Sequence, residues 1–206
     1  MAPKKRLAQP LVWLLLLLSL GACGLGAIPI PDATPTPCPG NCPPPARDNS
    51  QPHVINDSFF QMTYFDPWSV DSQNNNTVTL VASTQLGEVT MQLHGQQVSP
   101  GTSAATLLNN TVQNVLNNNS FTNPQDFGSI KGAEIGYVPG AGQSIGAYAS
   151  QGNAPQVPVF IQVMASVQNT TGIVFVAVSP LDPNSPDPSI VPNEEYDHVV
   201  NSVVWR

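Results

Sequence analysis

Val157-Pro158-Val159-Phe160-Ile161-Gln162-Val163-Met164-Ala165-Ser166-Val167 and Ile173-Val174-Phe175-Val176-Ala177-Val178, joined by Gln168-Asn169-Thr170-Thr171-Gly172, form the stretch on which the fold turns. Two β-branched, aromatic-rich runs around a short polar break with a glycine read as a β-hairpin. Nearly every position in both runs is apolar, so each strand must bury both of its faces. That is the mark of a central strand covered on both sides.

Outward from this hairpin, Thr77 to Thr84 carries Val78, Leu80 and Ala82 on one face, and Glu88 to His94 carries Val89, Met91 and Leu93. The two runs are joined across Gln85-Leu86-Gly87 and predict a second hairpin with one apolar face. Ser58 to Tyr64 reads as an earlier strand with Phe60, Met62 and Tyr64 alternating, broken by Phe65-Asp66-Pro67-Trp68. Ile130 to Val138 and Ser144 to Ser150 predict a third hairpin, paired across a glycine-rich turn.

Two segments have helical spacing instead. Thr102 or Ser103 is placed to cap a helix with Ala104, Leu108, Val112 and Val115 on one face. After the proline-punctuated loop Leu181 to Pro192, Asn193 is placed to cap a last helix, with Glu194 and Glu195 in its first turn. Tyr196, Val199, Val200 and Val203 form its apolar stripe. Strands outnumber helices and short turns join most neighbours, which predicts an α+β fold: an antiparallel sheet covered by helices.

The N-terminal region carries a different message. Lys4, Lys5 and Arg6 precede an apolar run from Leu11 to Leu20 and then small residues, the layout of a secretory signal too short to span a membrane comfortably. Leu20-Gly21-Ala22-Cys23 resembles the lipobox of bacterial lipoproteins. That resemblance implies cleavage between Ala22 and Cys23, diacylglycerol on the Cys23 thiol, and a lipid-anchored protein on the extracytoplasmic face of a cell membrane or envelope. Burying acyl chains is worth about 0.8 kcal/mol per CH₂. The expected organisation is a signal peptide over 1–22, a lipidated, disordered tether over 23–52, and a folded domain over 53–206.

From Gly24 to Pro52, nine of 29 residues are proline and no apolar periodicity exists. In an extended polyproline form at about 3.1 Å per residue, such a tether reaches roughly 90 Å. Within it, Cys38-Pro39-Gly40-Asn41-Cys42 holds the two remaining thiols, which in an oxidising compartment favours a Cys38–Cys42 disulfide across the turn. Thioredoxin-like redox chemistry fits poorly, since the spacing is three residues and no helix follows. Metal binding lacks nearby ligands to complete four.

Composition excludes further classes. Only 9% of the 206 residues are charged, so solubility rests on Asn, Gln, Ser and Thr, and Asn74-Asn75-Asn76 and Asn117-Asn118-Asn119 read as solvated turns. After removal of the signal, Arg47, Lys131 and Arg206 face 13 acidic residues, a net charge of −10. Nucleic acid and anionic headgroups suit such a surface badly.

Phe60-x-Met62-x-Tyr64 leading into Pro67-Trp68, Ile130-x-Gly132-Ala133 with Tyr137, and the closing Tyr196-x-x-Val199-Val200-x-Ser202-Val203-x-Trp205 resemble the PsbP-like fold. This family includes the extrinsic photosystem subunit, a fungal Ran-binding protein and actinobacterial lipoproteins of the LpqN type. The resemblance implies an α/β/α sandwich over about residues 58 to 206 and a role in binding or assembly without catalysis; no cofactor is expected. Photosystem members also help retain calcium and chloride, but no matching ligand set is present in this sequence.

The sharpest catalytic alternative is Gly142-Gln143-Ser144-Ile145-Gly146, which fits the G-x-S-x-G elbow of serine hydrolases, with Asp182 or Asp187 and then His198 in the required order. Against it, no helix follows Ser144 and no parallel β/α alternation surrounds it, so the pattern reads as a hairpin turn. Asp182-x-Asn184 begins like a calcium loop, but Pro186 and Asp187 break it. His53, His94 and His198 are scattered, and Trp68 and Trp205 read as edge-of-core packing. The expectation is a non-catalytic, lipid-anchored binding or assembly protein of the cell envelope whose partner is another envelope protein or a small ligand. The alternatives are a small serine hydrolase and a calcium-binding photosynthetic or envelope accessory protein.

Overall fold

The computed structural model describes residues 51–84, 87–117, 121–149, 156–181 and 193–206, without the side chains of Thr84, Asn193, Glu194 and Glu195. The signal segment, Ala22, Cys23, Cys38, Cys42, Asn118, Asn119, Asp182, Asn184 and Asp187 lie outside the described residues, as does the tether up to residue 50.

Eleven strands and two helices are described. In chain order they are β1 (His53–Asn56), β2 (Phe60–Tyr64), β3 (Ser69–Gln73), β4 (Thr77–Thr84), β5 (Gly87–Gln97), α1 (Ala104–Asn117), β6 (Phe121–Ser129), β7 (Glu134–Ile135), β8 (Val138–Ala149), β9 (Val157–Gln168), β10 (Thr171–Pro180), α2 (Asn193–Asn201) and β11 (Val204–Trp205). One sheet runs β3-β4-β5-β10-β9-β8-β6, with β7 paired to β8 off that path. A smaller sheet runs β1-β2-β11. Every pairing in both sheets is antiparallel.

The β9–β10 hairpin forms as its composition demands. Its register runs from Thr171 opposite Gln168 to Pro180 opposite Val159, and Asn169 takes the left-handed conformation, φ 57°, in the tight turn. Both strands bury both faces. On the front, Val159, Ile161, Val163, Ala165 and Val174 pack with Leu107, Leu108 and Val112 of α1. On the back, Met164, Ile173, Phe175 and Ala177 join Val78, Leu80, Val89, Met91 and Leu93, and this layer meets Phe60 and Met62 of β2 and Tyr196, Val199 and Val200 of α2.

The fold is therefore sheet-dominated α+β, and helices cover it only in part. On the back, the three-stranded sheet shares with α2 the work that a second helical layer would do in an α/β/α sandwich. Tyr196 sits at the meeting point, edge-on to Phe175 at 5.7 Å and tilted against Trp68 at 6.3 Å. Val203 is buried with the α2 stripe although the helix ends at Asn201. The next two residues form β11, and the Trp205 indole N–H donates to the Ile135 carbonyl at 2.8 Å.

The third expected hairpin is corrected. The described part of that second run, 144–149, does not pair with Ile130 to Val138 across a glycine-rich turn; the glycine-rich segment lies inside the single 12-residue strand β8, between β9 and β6. The turn lies earlier, at Gly136-Tyr137, where both residues have positive φ (59° and 61°) as a two-residue turn between β7 and β8 requires. The glycines of β8 serve close approach instead. A Cβ on Gly142 would lie 2.9 Å from Ile130, one on Gly146 would lie 2.6 Å from the Phe127 ring, and one on Gly140 would run into the Ala165 carbonyl. This bare strip lets Ile130–Ala133 lie on the sheet, held by Ile130 N–H to the Gly142 carbonyl at 2.9 Å and Gly140 N–H to the Ala133 carbonyl at 2.8 Å.

Candidate binding site

α1 starts where the sequence places it. Ser103 is the cap: its hydroxyl accepts the Thr106 N–H at 3.1 Å, one of the first-turn donors that have no partner within the helix. The inward stripe of Leu107, Leu108 and Val112 seats the helix on β8, β9 and β10. Beyond its first turn the exposed residues are Asn109, Asn110, Gln113, Asn114 and Asn117, and no charged residue occurs anywhere in the helix.

A groove runs along each flank of α1. The one toward β5 holds about 270 Å³ and is lined by Gln92, His94, Gln96, Thr111 and Asn114 over Val115, Val174 and Val176. The one toward β6 and β8 holds about 360 Å³, with Asn109, Gln113, Asp126 and Gln143 over Val112, Leu116, Pro124 and Ile145. Alternation explains both. In β5 the odd residues Val89, Met91 and Leu93 fill the back core, so the even residues Gln92, His94 and Gln96 must face front, level with Val174 and Val176 of β10.

His94 is the titratable side chain of the first groove. Burial lowers its pKa below the usual 6.5, partly offset by the Asp57 charge and the Asn76 backbone. Its Nδ1 lies 2.9 Å from the Thr77 hydroxyl, and that hydroxyl donates to the Asn76 side-chain carbonyl at 3.2 Å. In the second groove, Asp126 accepts the Gly128 N–H at 2.8 Å, and this bond, with one from Gln143, lowers its pKa.

Asp57, between β1 and β2, is buried. Its Oδ1 accepts the Phe59 N–H at 3.0 Å, and its Oδ2 has no hydrogen-bond partner among the described residues. Burial raises its pKa, against the opposing pull of backbone N–H groups, His94 and Arg206. Arg206 donates to the Asp57 carbonyl at 3.0 Å, tying β11 to the β1–β2 turn.

The residues weighed for catalysis do not converge on an elbow. Ser144 sits mid-strand opposite Gln162, with regular pairing on the β9 side, so its backbone is extended and no strand-to-helix turn presents it. His198 lies in α2. Among the described residues no group of three His, Cys, Asp or Glu side chains could hold a metal ion, and no helix is long and apolar enough to cross a membrane. Trp68 is buried in the core and Trp205 packs against it. His53 stacks on Tyr64 at 5.0 Å and lies 3.6 Å from Asp66, at the surface. The groove residues were hidden from sequence reasoning: His94 read as a strand end, and only the even-numbered Gln-His-Gln spacing in β5 hinted at a shared face.

No family model matches the chain, and no curated protein does. Solved structures are similar to it in part. The Ran-binding protein Mog1p of Saccharomyces cerevisiae matches over 76% of this chain and 95% of its own, at 9% identity and TM-score 0.48. LpqN of Mycobacterium tuberculosis, described as involved in cell envelope biogenesis, matches over 77% and 92% at 12% identity and TM-score 0.45. The cyanobacterial PsbP of Synechocystis matches over 81% and 98% at 9% identity and TM-score 0.41. The chain spans about half the length, 48%, of a Bacteroides thetaiotaomicron structure that it matches at 10% identity and TM-score 0.42. Each is a likeness of chain path only, and no function is carried over from it.

Proposed function

We propose that this chain is a non-catalytic binding or assembly protein of the cell envelope, held on the extracytoplasmic face by a lipid on Cys23. The observation that carries the binding reading is the pair of grooves along α1, whose polar walls are mostly Asn and Gln amides, with His94 and Thr111 in one and Asp126 in the other. They offer hydrogen-bonding groups at a concave surface, with little acid–base equipment beside them. The mid-strand setting of Ser144 supports the absence of hydrolase chemistry. The Leu20-Gly21-Ala22-Cys23 pattern supports the anchor.

Two measurements test this. Full-length chain expressed in a bacterium should incorporate labelled palmitate and enter the detergent phase, and Cys23→Ser should do neither; unchanged partitioning of the variant would remove the anchor. Affinity capture from envelope membranes should retain a partner or ligand that Gln113→Ala/Asn114→Ala loses. Capture indifferent to that double variant would overturn the role of the grooves. Fluorophosphonate labelling that disappears in Ser144→Ala would replace the binding reading with a hydrolase.

A further inference from the structure

We infer that the groove between α1 and β5 takes one ring of a neutral carbohydrate, a hexose or N-acetylhexosamine residue; this rests on the binding reading above. The walls decide the class. Gln96 and Asn114 each bring an amide with donors and an acceptor, and Gln92 keeps its carbonyl and one N–H after donating to the Thr79 hydroxyl at 3.2 Å. The Thr111 hydroxyl donates to the Leu107 carbonyl at 2.9 Å and so faces a ligand as an acceptor, and the His94 ring adds a further hydrogen-bonding group to the lining. Donors and acceptors of this mixed kind suit hydroxyl groups, each of which both gives and receives a hydrogen bond.

Among the described residues no carboxylate, ammonium or guanidinium lines this groove, although the chain carries 13 acidic and six basic residues. A charged ligand would lose its hydration there without an opposite charge in the wall. The floor of Val115, Val174 and Val176 is apolar and branched, a surface for the C–H face of a sugar ring. An extended peptide fits less well. The backbone of β5 is paired on both sides from Thr90 to His94, with His94 opposite both Thr77 of β4 and Val174 of β10, so no free strand edge is offered there. At about 270 Å³ the groove is at the small end for ligand sites, which limits it to one ring and leaves the remainder of a glycan in solvent.

The test uses the ¹⁵N-labelled chain titrated with N-acetylglucosamine and, separately, with glucose, followed by amide chemical shifts. The expected result is saturable shifts confined to 92–96, 111–115 and 174–176, with a millimolar dissociation constant for at least one sugar. Asn114→Ala should weaken that binding at least about tenfold, or 1.4 kcal/mol, at unchanged melting temperature, while Asn110→Ala, exposed on α1 and outside both grooves, leaves it intact. Absence of saturable shifts, shifts elsewhere, or indifference to Asn114→Ala would overturn the inference. So would an uncharged tripeptide that saturates these residues where neither sugar does. If the sugars fail while membrane capture is still lost in Gln113→Ala/Asn114→Ala, the carbohydrate class falls and the binding reading stands.

Discussion

Gly140 shows how much one missing side chain decides. Its Cα faces the Ala165 carbonyl and the Ser166 hydroxyl, which itself donates to the Val138 carbonyl at 2.8 Å. A methyl group there meets backbone that cannot yield without parting β8 from β9. Gly140→Ala should therefore cost roughly 1–3 kcal/mol by overpacking, read as a lowered melting temperature. Two titrating side chains make signed predictions. Burial pushes the Tyr196 phenol up to about 12 from 10. The folded state therefore holds its proton where the unfolded chain releases it, and stability is lost as pH rises above 10, by about 3 kcal/mol at most. Tyr196→Phe, which keeps the contacts with Phe175 and Trp68, should flatten that alkaline limb in denaturant titrations. His94 has the opposite sense. Its pKa lies below 6.5 in the fold, so the unfolded chain binds the extra proton and stability falls as pH drops from 6.5 through the folded value. Asp57, with a raised pKa, opposes this at acidic pH. The difference between wild type and His94→Asn isolates the histidine, and a pH-independent difference would remove this account.

Among the elements, α1 and β8 show why some segments are legible and others are not. The helix announces itself through Ser103 and the spacing of Leu108 and Val112, because its period of 3.6 and its cap are both local. Ser103→Ala should cost about 1 kcal/mol, measured by chemical denaturation, without changing the grooves. β8 has no such signal. Its apolar face, Ile145 and Ala147, alternates with Gly140, Gly142, Ser144 and Gly146, so its back face looks like a turn until the chain that lies on it is known. β6 is harder still. Phe121–Ser129 contains Pro124, two register shifts and positive φ at Asn123 and Gly128, irregularities that an edge strand tolerates. β3 is the other edge, exposed along its whole length, and β11 has two residues. Edge strands bury little, so they leave little hydrophobic pattern to read.

In the folded unit as a whole, α1 is the crossover that makes the site. The chain leaves β5, traverses the front of β10, β9 and β8, and re-enters at β6 on the far edge. The strands inserted beneath it come later in sequence. At this scale the C-terminal residues act as a tie: Trp205 bonds Ile135, Arg206 N–H donates to the Phe59 carbonyl at 3.0 Å, and its guanidinium reaches Asp57. Trp205→Phe removes one bond to a partly buried carbonyl and should lower stability by about 1–2 kcal/mol. It should do so within a single unfolding transition in calorimetry, because β11, β2, α2 and the back of the large sheet share one apolar cluster.

By itself the sequence determined the α+β class, the central β9–β10 hairpin, the β4–β5 hairpin, both helices and a cap for the first at Thr102 or Ser103, since all of these rest on local periodicity, turn chemistry and capping. Only the tertiary structure decided the strand order, the three-stranded back layer, the strand setting of Ser144, and the meeting of His94 and Gln92 with Asn114 across a groove. The physical reason is range. Periodicity shows which face of an element is apolar, but which faces meet depends on burying all of them at once, and polar groove residues contribute almost nothing to that burial.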